Sequence, residues 1–177
     1  MIKKWKQLLS AKKADALSDR ILSVAKGQLV PITSVSDPVF SERLMGDGFA
    51  VMPQEGAIYA PVTGRVMTVF PTKHAYGIVT PAGLEVLVHI GVDTVELGET
   101  AFSSDIVAGQ EVVAGQLLAQ VDLPVLEAAQ KDSTVMVVFT NSQDIADMRL
   151  ADAGAIAAKA EVGQVRLKAI DPVLDDN

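Results

Sequence analysis

From Ile21 onward the chain is a succession of short β-branched runs cut by Gly and Pro, and few folds accept such a rhythm. Apolar runs this short cannot complete long helices, while the residues between them turn the chain or withhold an N–H. The pattern predicts an all-β fold, an antiparallel β-sandwich or barrel with a few short helices. Strands are expected at 21–25, 28–33, 49–52, 64–70, 76–80, 84–90, 111–113, 116–121, 134–140 and 164–169. Helix is expected in small pieces. Residues 124–130 qualify, with Asp122 as cap and Pro124 in the first turn, and residues 151–160 qualify on alanine propensity alone. Gly27 and Gly64 sit in similar apolar surroundings, a faint internal repeat that reads as two equivalent hairpins turning on glycine.

At 177 residues, 49% of them hydrophobic, the chain is long enough to bury one core. We read residues 1–18 as a basic amphipathic segment and 19–177 as a single domain. There is no Cys, hence no disulfide framework, thiolate nucleophile or Cys-based zinc site, which suits a reducing cytoplasm. The net charge of −7 argues against a nucleic-acid partner, since duplexes are held by basic residues that neutralise phosphates. Charge is also unevenly placed. The first thirteen residues carry Lys3, Lys4, Lys6, Lys12 and Lys13 and no acidic residue, which leaves the remainder at −12. An acidic body suits a basic protein partner.

Within the basic segment, Ile2, Trp5 and Leu9 fall on one helical face, flanked by Met1 and Leu8, with the lysines largely opposite. Such a pattern fits a frayed terminus or a weak anchor on anionic lipid equally well. No apolar run approaches the ~18–20 residues that span a bilayer, and the start has no secretory-signal pattern. A protein that is not exported is expected.

Chemistry concentrates between Thr72 and Leu97, which hold both histidines of the chain, His74 and His89. Each lies beside an expected strand, and Pro81-Ala82-Gly83 is a turn that lets those strands fold back and bring the imidazoles together. Along 84–91 the side chains alternate. Leu84, Val86, Val88 and Ile90 form a fully apolar face, whereas Glu85, Leu87, His89 and Gly91 form the other, so His89 emerges toward a cleft. A lone histidine in an apolar strand is usually a packing residue; two facing each other are a candidate site. Near His89, Gly91 offers a sterically unencumbered carbonyl acceptor that could fix the tautomer of the ring.

Thr72-x-His74, the hairpin, and Val88-His89-Ile90-Gly91-Val92-Asp93-Thr94-Val95 resemble the glucose-type IIA domain of the bacterial sugar phosphotransferase system. The resemblance extends to Asp37-Pro38-Val39-Phe40-Ser41-Glu42, Met45-Gly46-Asp47-Gly48, Ala60-Pro61-Val62-x-Gly64 and Asp122-Leu123-Pro124-x-Leu126, and covers roughly residues 20–170. It implies a phosphoryl carrier that accepts phosphate on His89 Nε2 from the histidine phosphocarrier protein. The phosphate then passes to the IIB domain of a sugar transporter, and regulatory target proteins are bound as well. His74 would donate to the phosphoryl oxygens and Thr72 would orient it, although Thr72 also reads as an ordinary turn hydroxyl. An exposed apolar rim of Val39, Phe40, Met45, Phe70 and Val95 is implied, with Asp37 and Asp93 pairing with basic residues of the donor. The resemblance also favours the lipid reading of residues 1–13, and so a cytoplasmic protein, peripheral at the inner face of the membrane. Lys73 and the Gly98-Glu99-Thr100 segment depart from the family pattern and bear on partner choice.

No cofactor is expected, apart from a zinc ion that His74 and His89 could share at a partner interface. Two other readings stay open. One is a zinc hydrolase site of His74, His89 and Asp93, although no H-E-x-x-H or H-x-H spacing is present. The other is a non-catalytic regulatory binding protein whose histidines respond to pH.

Overall fold

The computed structural model describes residues 2–169. Met1 and the final residues of the 19–177 domain span lie outside the described residues. An exposed helix α1 (Ile2–Ala16) leads into fourteen described strands. These are β1 (Ser18–Leu22), β2 (Gly27–Pro31), β3 (Asp47–Pro53), β4 (Ala57–Tyr59), β5 (Gly64–Val69), β6 (Ala75–Val79), β7 (Glu85–Ile90), β8 (Phe102–Ser103), β9 (Glu111–Val112), β10 (Leu117–Val121), β11 (Val135–Phe139), β12 (Ile145–Leu150), β13 (Gly154–Ile156) and β14 (Glu161–Leu167). Two short helices interrupt them, α2 (Pro38–Ser41) and α3 (Leu123–Ala128).

All the strand pairings are antiparallel, as the turn-rich sequence requires. The large sheet runs β13-β2-β3-β11-β7-β6-β5-β9, and two three-stranded sheets, β1-β14-β12 and β4-β10-β8, complete the layers. The architecture is a sandwich, with no closed barrel among the described residues. One face of the large sheet meets both small sheets across a shared core that includes Val66, Tyr76, Val88, Val137, Ile58, Leu118, Ile21 and Val165. The opposite face is only partly covered. There the segment bearing α2 lays Ile32, Val35 and Phe40 over Ala75, Leu87 and Met136 as a second, smaller cluster. The central strand β11 is therefore buried at all five residues, which is why it lacks polar alternation.

The alternation along β7 is as expected: Val86, Val88 and Ile90 enter the main core, while Leu87 joins the second cluster and His89 shares its face. α3 is capped by Asp122, whose Oδ1 accepts from Val125 N–H at 3.1 Å.

Three expectations are corrected. Residues 151–160 form no helix. Ala155 pairs with Gln28 within β13, because a free sheet edge offered backbone partners that outweigh alanine's modest propensity. The first strand starts at Ser18 rather than residue 21, drawn there by pairing with β14, and Val24 and Ala25 are buried just beyond it. Gly27 and Gly64 do not turn on positive φ; each opens a strand. A β-carbon on Gly27 would stand 1.9 Å from the Met52 carbonyl oxygen, and one on Gly64 2.3 Å from that of Val79, so glycine serves close approach of backbones.

Candidate functional site

The two histidines meet because β6 and β7 pair in the register Ala75↔His89, and Ile90 N–H donates to the His74 carbonyl at 2.7 Å. That places one imidazole at the mouth of β6 and the other near the end of β7. Their ring centroids are 5.0 Å apart with an interplanar angle of 83°, an edge-to-face pair.

Each ring is fixed through Nδ1. His89 Nδ1 lies 2.9 Å from the Gly91 carbonyl oxygen, and His74 Nδ1 lies 2.5 Å from Thr72 Oγ1. Since a carbonyl only accepts, His89 carries its proton on Nδ1 and presents a bare Nε2. The Gly91 carbonyl is aimed by backbone at φ +78°, a conformation that residues with a side chain rarely adopt. A β-carbon there would also fall 2.3 Å from Thr94 Cγ2. Thr94 is fully buried and its hydroxyl donates to the Ile90 carbonyl at 2.5 Å, while Val92 N–H donates to Asp132. The loop after His89 is thus clasped from both sides.

Thr72 arrives on the β5–β6 connection. Lys73 N–H donates to the Phe70 carbonyl at 2.8 Å, the hydrogen bond of a four-residue turn with Pro71 in its second position. Lys73 itself is left-handed, φ 60°, a conformation that costs a non-glycine residue on the order of 1 kcal/mol.

Three phenylalanines frame the pair. Phe70 stands edge-on to His74 at 5.4 Å, Phe102 lies 6.4 Å from His74, and Phe40 lies 5.1 Å from His89. Val39, Met45, Phe70 and Val95 are exposed as a rim requires. Phe40 is not; at 4% exposure it belongs to the second cluster, because α2 turns it inward beneath Val39. Asp37 caps α2, its carboxylate accepting from Val39 N–H at 2.9 Å, and Asp93 is exposed with left-handed backbone at φ 55°. Phe102 had no signal in the sequence: it comes from β8, in another sheet, and no local pattern points it at a histidine.

Electrostatics favour neutral rings. Burial, with the neighbouring His89 second, lowers the His74 pKa from 6.5 to about 4. Burial also lowers that of His89, opposed by the Gly91 carbonyl and by the charges of Asp37 and Asp93. The folded chain therefore refuses a proton that the unfolded chain accepts. Stability from His74 is complete above pH 6.5 and is lost as pH falls from 6.5 through about 4. Urea titrations between pH 7.5 and 4.5 should show the wild type losing more stability over that window than His74→Gln; parallel curves would refute the shift. Asp19, whose burial raises its pKa, contributes to both proteins and drops out of the comparison.

Among the described residues no group of three or more His, Cys, Asp or Glu could hold a metal ion, so Asp93 does not complete a zinc triad with the histidines.

Comparison with known proteins places the chain in a family. The profile of the phosphoenolpyruvate-dependent sugar phosphotransferase system EIIA 1 family matches residues 19–145. A PTS system glucose-specific EIICBA component of Streptococcus pneumoniae is 50% identical over 151 residues, 85% of this chain but 21% of that one. A PTS system glucosamine-specific EIICBA component of Bacillus subtilis is 41% identical, with 19% of its length covered, so the chain spans about a fifth of these larger relatives. The PTS system glucose-specific EIIA component of Mycoplasma capricolum is 42% identical over 123 residues, 70% of this chain and 80% of that one. The solved glucose permease IIA from Mycoplasma capricolum superposes with a TM-score of 0.77 at 37% identity, covering 83% of this chain and 95% of its own. The chain belongs to the phosphoenolpyruvate-dependent sugar phosphotransferase system EIIA 1 family.

Proposed function

We propose that the chain is a phosphoryl carrier of a sugar transport system. It receives phosphate on His89 Nε2 from the histidine phosphocarrier protein and passes it to the IIB domain of a transporter. The observation that carries this reading is the pinning of both Nδ1 atoms, His89 to Gly91 and His74 to Thr72, in rings 5.0 Å apart. With each Nδ1 engaged, the two Nε2 atoms remain for the chemistry, one to attack and one to donate.

The balance of the step is simple. The Nε2 lone pair of neutral His89 attacks phosphorus as the P–N bond to the carrier's histidine breaks, and the carrier leaves with that electron pair. No base is needed, because the attacking nitrogen holds no proton. If the Thr72 hydroxyl donates to His74 Nδ1, the His74 proton sits on Nε2, where it meets the charge on the phosphoryl oxygens. One such donor in a water-poor site contributes about 3 kcal/mol. The surrounding phenylalanines limit water and so protect the phosphoryl–histidine bond from hydrolysis.

The exposed rim of Val39, Met45, Phe70 and Val95 would receive each partner in turn by shape, with Asp37 and Asp93 set for basic residues. A dianion on His89 would change which partners, regulatory targets included, that face accepts. Should zinc join a complex, His74 and His89 offer two nitrogens and a partner must complete the ligand set. Exposure of the chain to phosphoenolpyruvate, the first enzyme of the pathway and the phosphocarrier protein tests the reading. One acid-labile phosphate per chain is expected, and none would overturn it.

α1 carries Ile2, Trp5, Leu8 and Leu9 exposed beside Lys3, Lys4 and Lys6, which fits contact with anionic lipid at the inner face of the membrane from the cytoplasm. No described helix is long and apolar enough to cross a bilayer. Removal of residues 1–13 should leave phosphoryl uptake unchanged and weaken binding to phosphatidylserine vesicles, since each lysine near such a surface contributes about 1 kcal/mol. The effect should fade with added salt. Equal vesicle binding by both forms would return the segment to a frayed end.

A further inference from the structure

We infer that Tyr76 is a positioning residue for the phosphoryl site, its phenol pinning the strained turn that aligns Thr72 with His74. The inference rests on the reading of His74 as a donor and extends it to a residue outside the cleft.

Tyr76 lies wholly inside the main core, its ring among the apolar residues that the large sheet shares with the smaller ones. A phenol in such a place needs a hydrogen-bond partner. It finds one in the Lys73 carbonyl, to which the hydroxyl donates at 2.8 Å. Burial raises the phenol pKa, against a smaller opposing effect of a hydrogen bond with Ser104, so it stays a donor across the working range of pH.

The receiving residue matters more than the bond. Lys73 stands between Thr72 and His74 in the chain and is left-handed, at the fourth position of the turn, where glycine is favoured. A lysine there tends to relax toward negative φ. Relaxation would rotate the Thr72–Lys73 and Lys73–His74 peptides and separate the Thr72 hydroxyl from His74 Nδ1, now 2.5 Å apart. Two contacts oppose this: the backbone bond from Lys73 N–H to Phe70, and the phenol on the Lys73 carbonyl. Only the second comes from a side chain, so only it can be removed by substitution without touching the turn's own backbone.

Tyr76→Phe deletes one oxygen and keeps the ring in the core. Nitrogen-15 spectra of the histidine rings at pH 7, with a titration of each ring, give the readout without any partner protein. In the wild type, His74 should show one tautomer with its proton on Nε2. In Tyr76→Phe it should become a mixture of tautomers and titrate at higher pH, because a loosened turn admits water. The His89 tautomer, held by Gly91 on another loop, should stay as it was. Lys73→Gly in the Tyr76→Phe background should restore the His74 tautomer, since glycine occupies the left-handed region without strain. In transfer assays Tyr76→Phe should still load His89 and discharge it roughly ten-fold more slowly, a fraction of what loss of a positioned donor costs.

An unchanged His74 tautomer and titration in Tyr76→Phe overturns the inference. So does equal disturbance of both histidines, which would mean general loosening of the core, or a failure of Lys73→Gly to rescue. A wild-type proton on Nδ1 of His74 would instead overturn the donor role, and the pin would then stand or fall on the titration shift alone.

Discussion

His89→Gln should take up no phosphate from the charged phosphocarrier, with intact-mass measurement showing only unmodified chain. The loss should be complete rather than partial. Among the described residues the other imidazole is His74, buried to 5% exposure with its Nδ1 engaged by Thr72, and no cysteine is available to substitute. The fold should persist. His89 sits half-buried on the partly covered face of the large sheet, where its ring lies 5.1 Å from that of Phe40 and 5.0 Å from that of His74. Replacement by a side chain of similar reach should cost about 1 kcal/mol or less, the ordinary effect of a substitution away from the packed interior. A variant that unfolds at the wild-type urea concentration yet gains a full phosphate would place the nucleophile elsewhere.

That prediction uses information already present in the order of residues. The alternation from Leu84 to Gly91 alone separates Val86, Val88 and Ile90 from Leu87 and His89, because a strand's period of two admits no other division once one face is fully apolar. The Pro and Gly punctuation likewise locates most of the long strands, and Asp122 with Pro124 marks the start of α3. What could not be read has a common cause. β4, β8 and β13 are strands of two or three residues on a small sheet or at the edge of the large one, and the longer β12 is the edge of a small sheet, so their conformation follows from pairing with another strand rather than from their own residues. The inward turn of Phe40 depends on Asp37 capping a four-residue helix. The approach of Phe102 to His74 depends on how two sheets stack. At the site itself, residue types pointed to the two imidazoles, whereas the carbonyl of Lys73 and the buried hydroxyls of Tyr76 and Thr94, which hold their loops, came only from three-dimensional contact.

His74→Gln should separate donation from attack. The amide keeps an N–H within reach of the phosphoryl oxygens, so His89 should still be loaded and the phospho-form should accumulate. Discharge to the IIB domain should slow by a factor of about 100 to 1000, the usual cost of losing a well-placed donor where charge moves in the transition state. The asymmetry has a physical origin. Burial lowers the His74 pKa to about 4 and Thr72 lies 2.5 Å from its Nδ1, so, with the Thr72 hydroxyl donating, its N–H is aimed before phosphate arrives. A glutamine amide has no ring to stack edge-on with His89 and no Nδ1 to receive Thr72, and its extra rotatable bonds must be ordered during the reaction. Loading is less exposed to this defect, because an amide can hold the ground-state phosphate without matching an imidazole's ability to shift protons. Timing the two half-reactions separately by rapid quench distinguishes the cases. Equal slowing of loading and discharge would make His74 a general structural support, and failure to load at all would assign it a share in the attack.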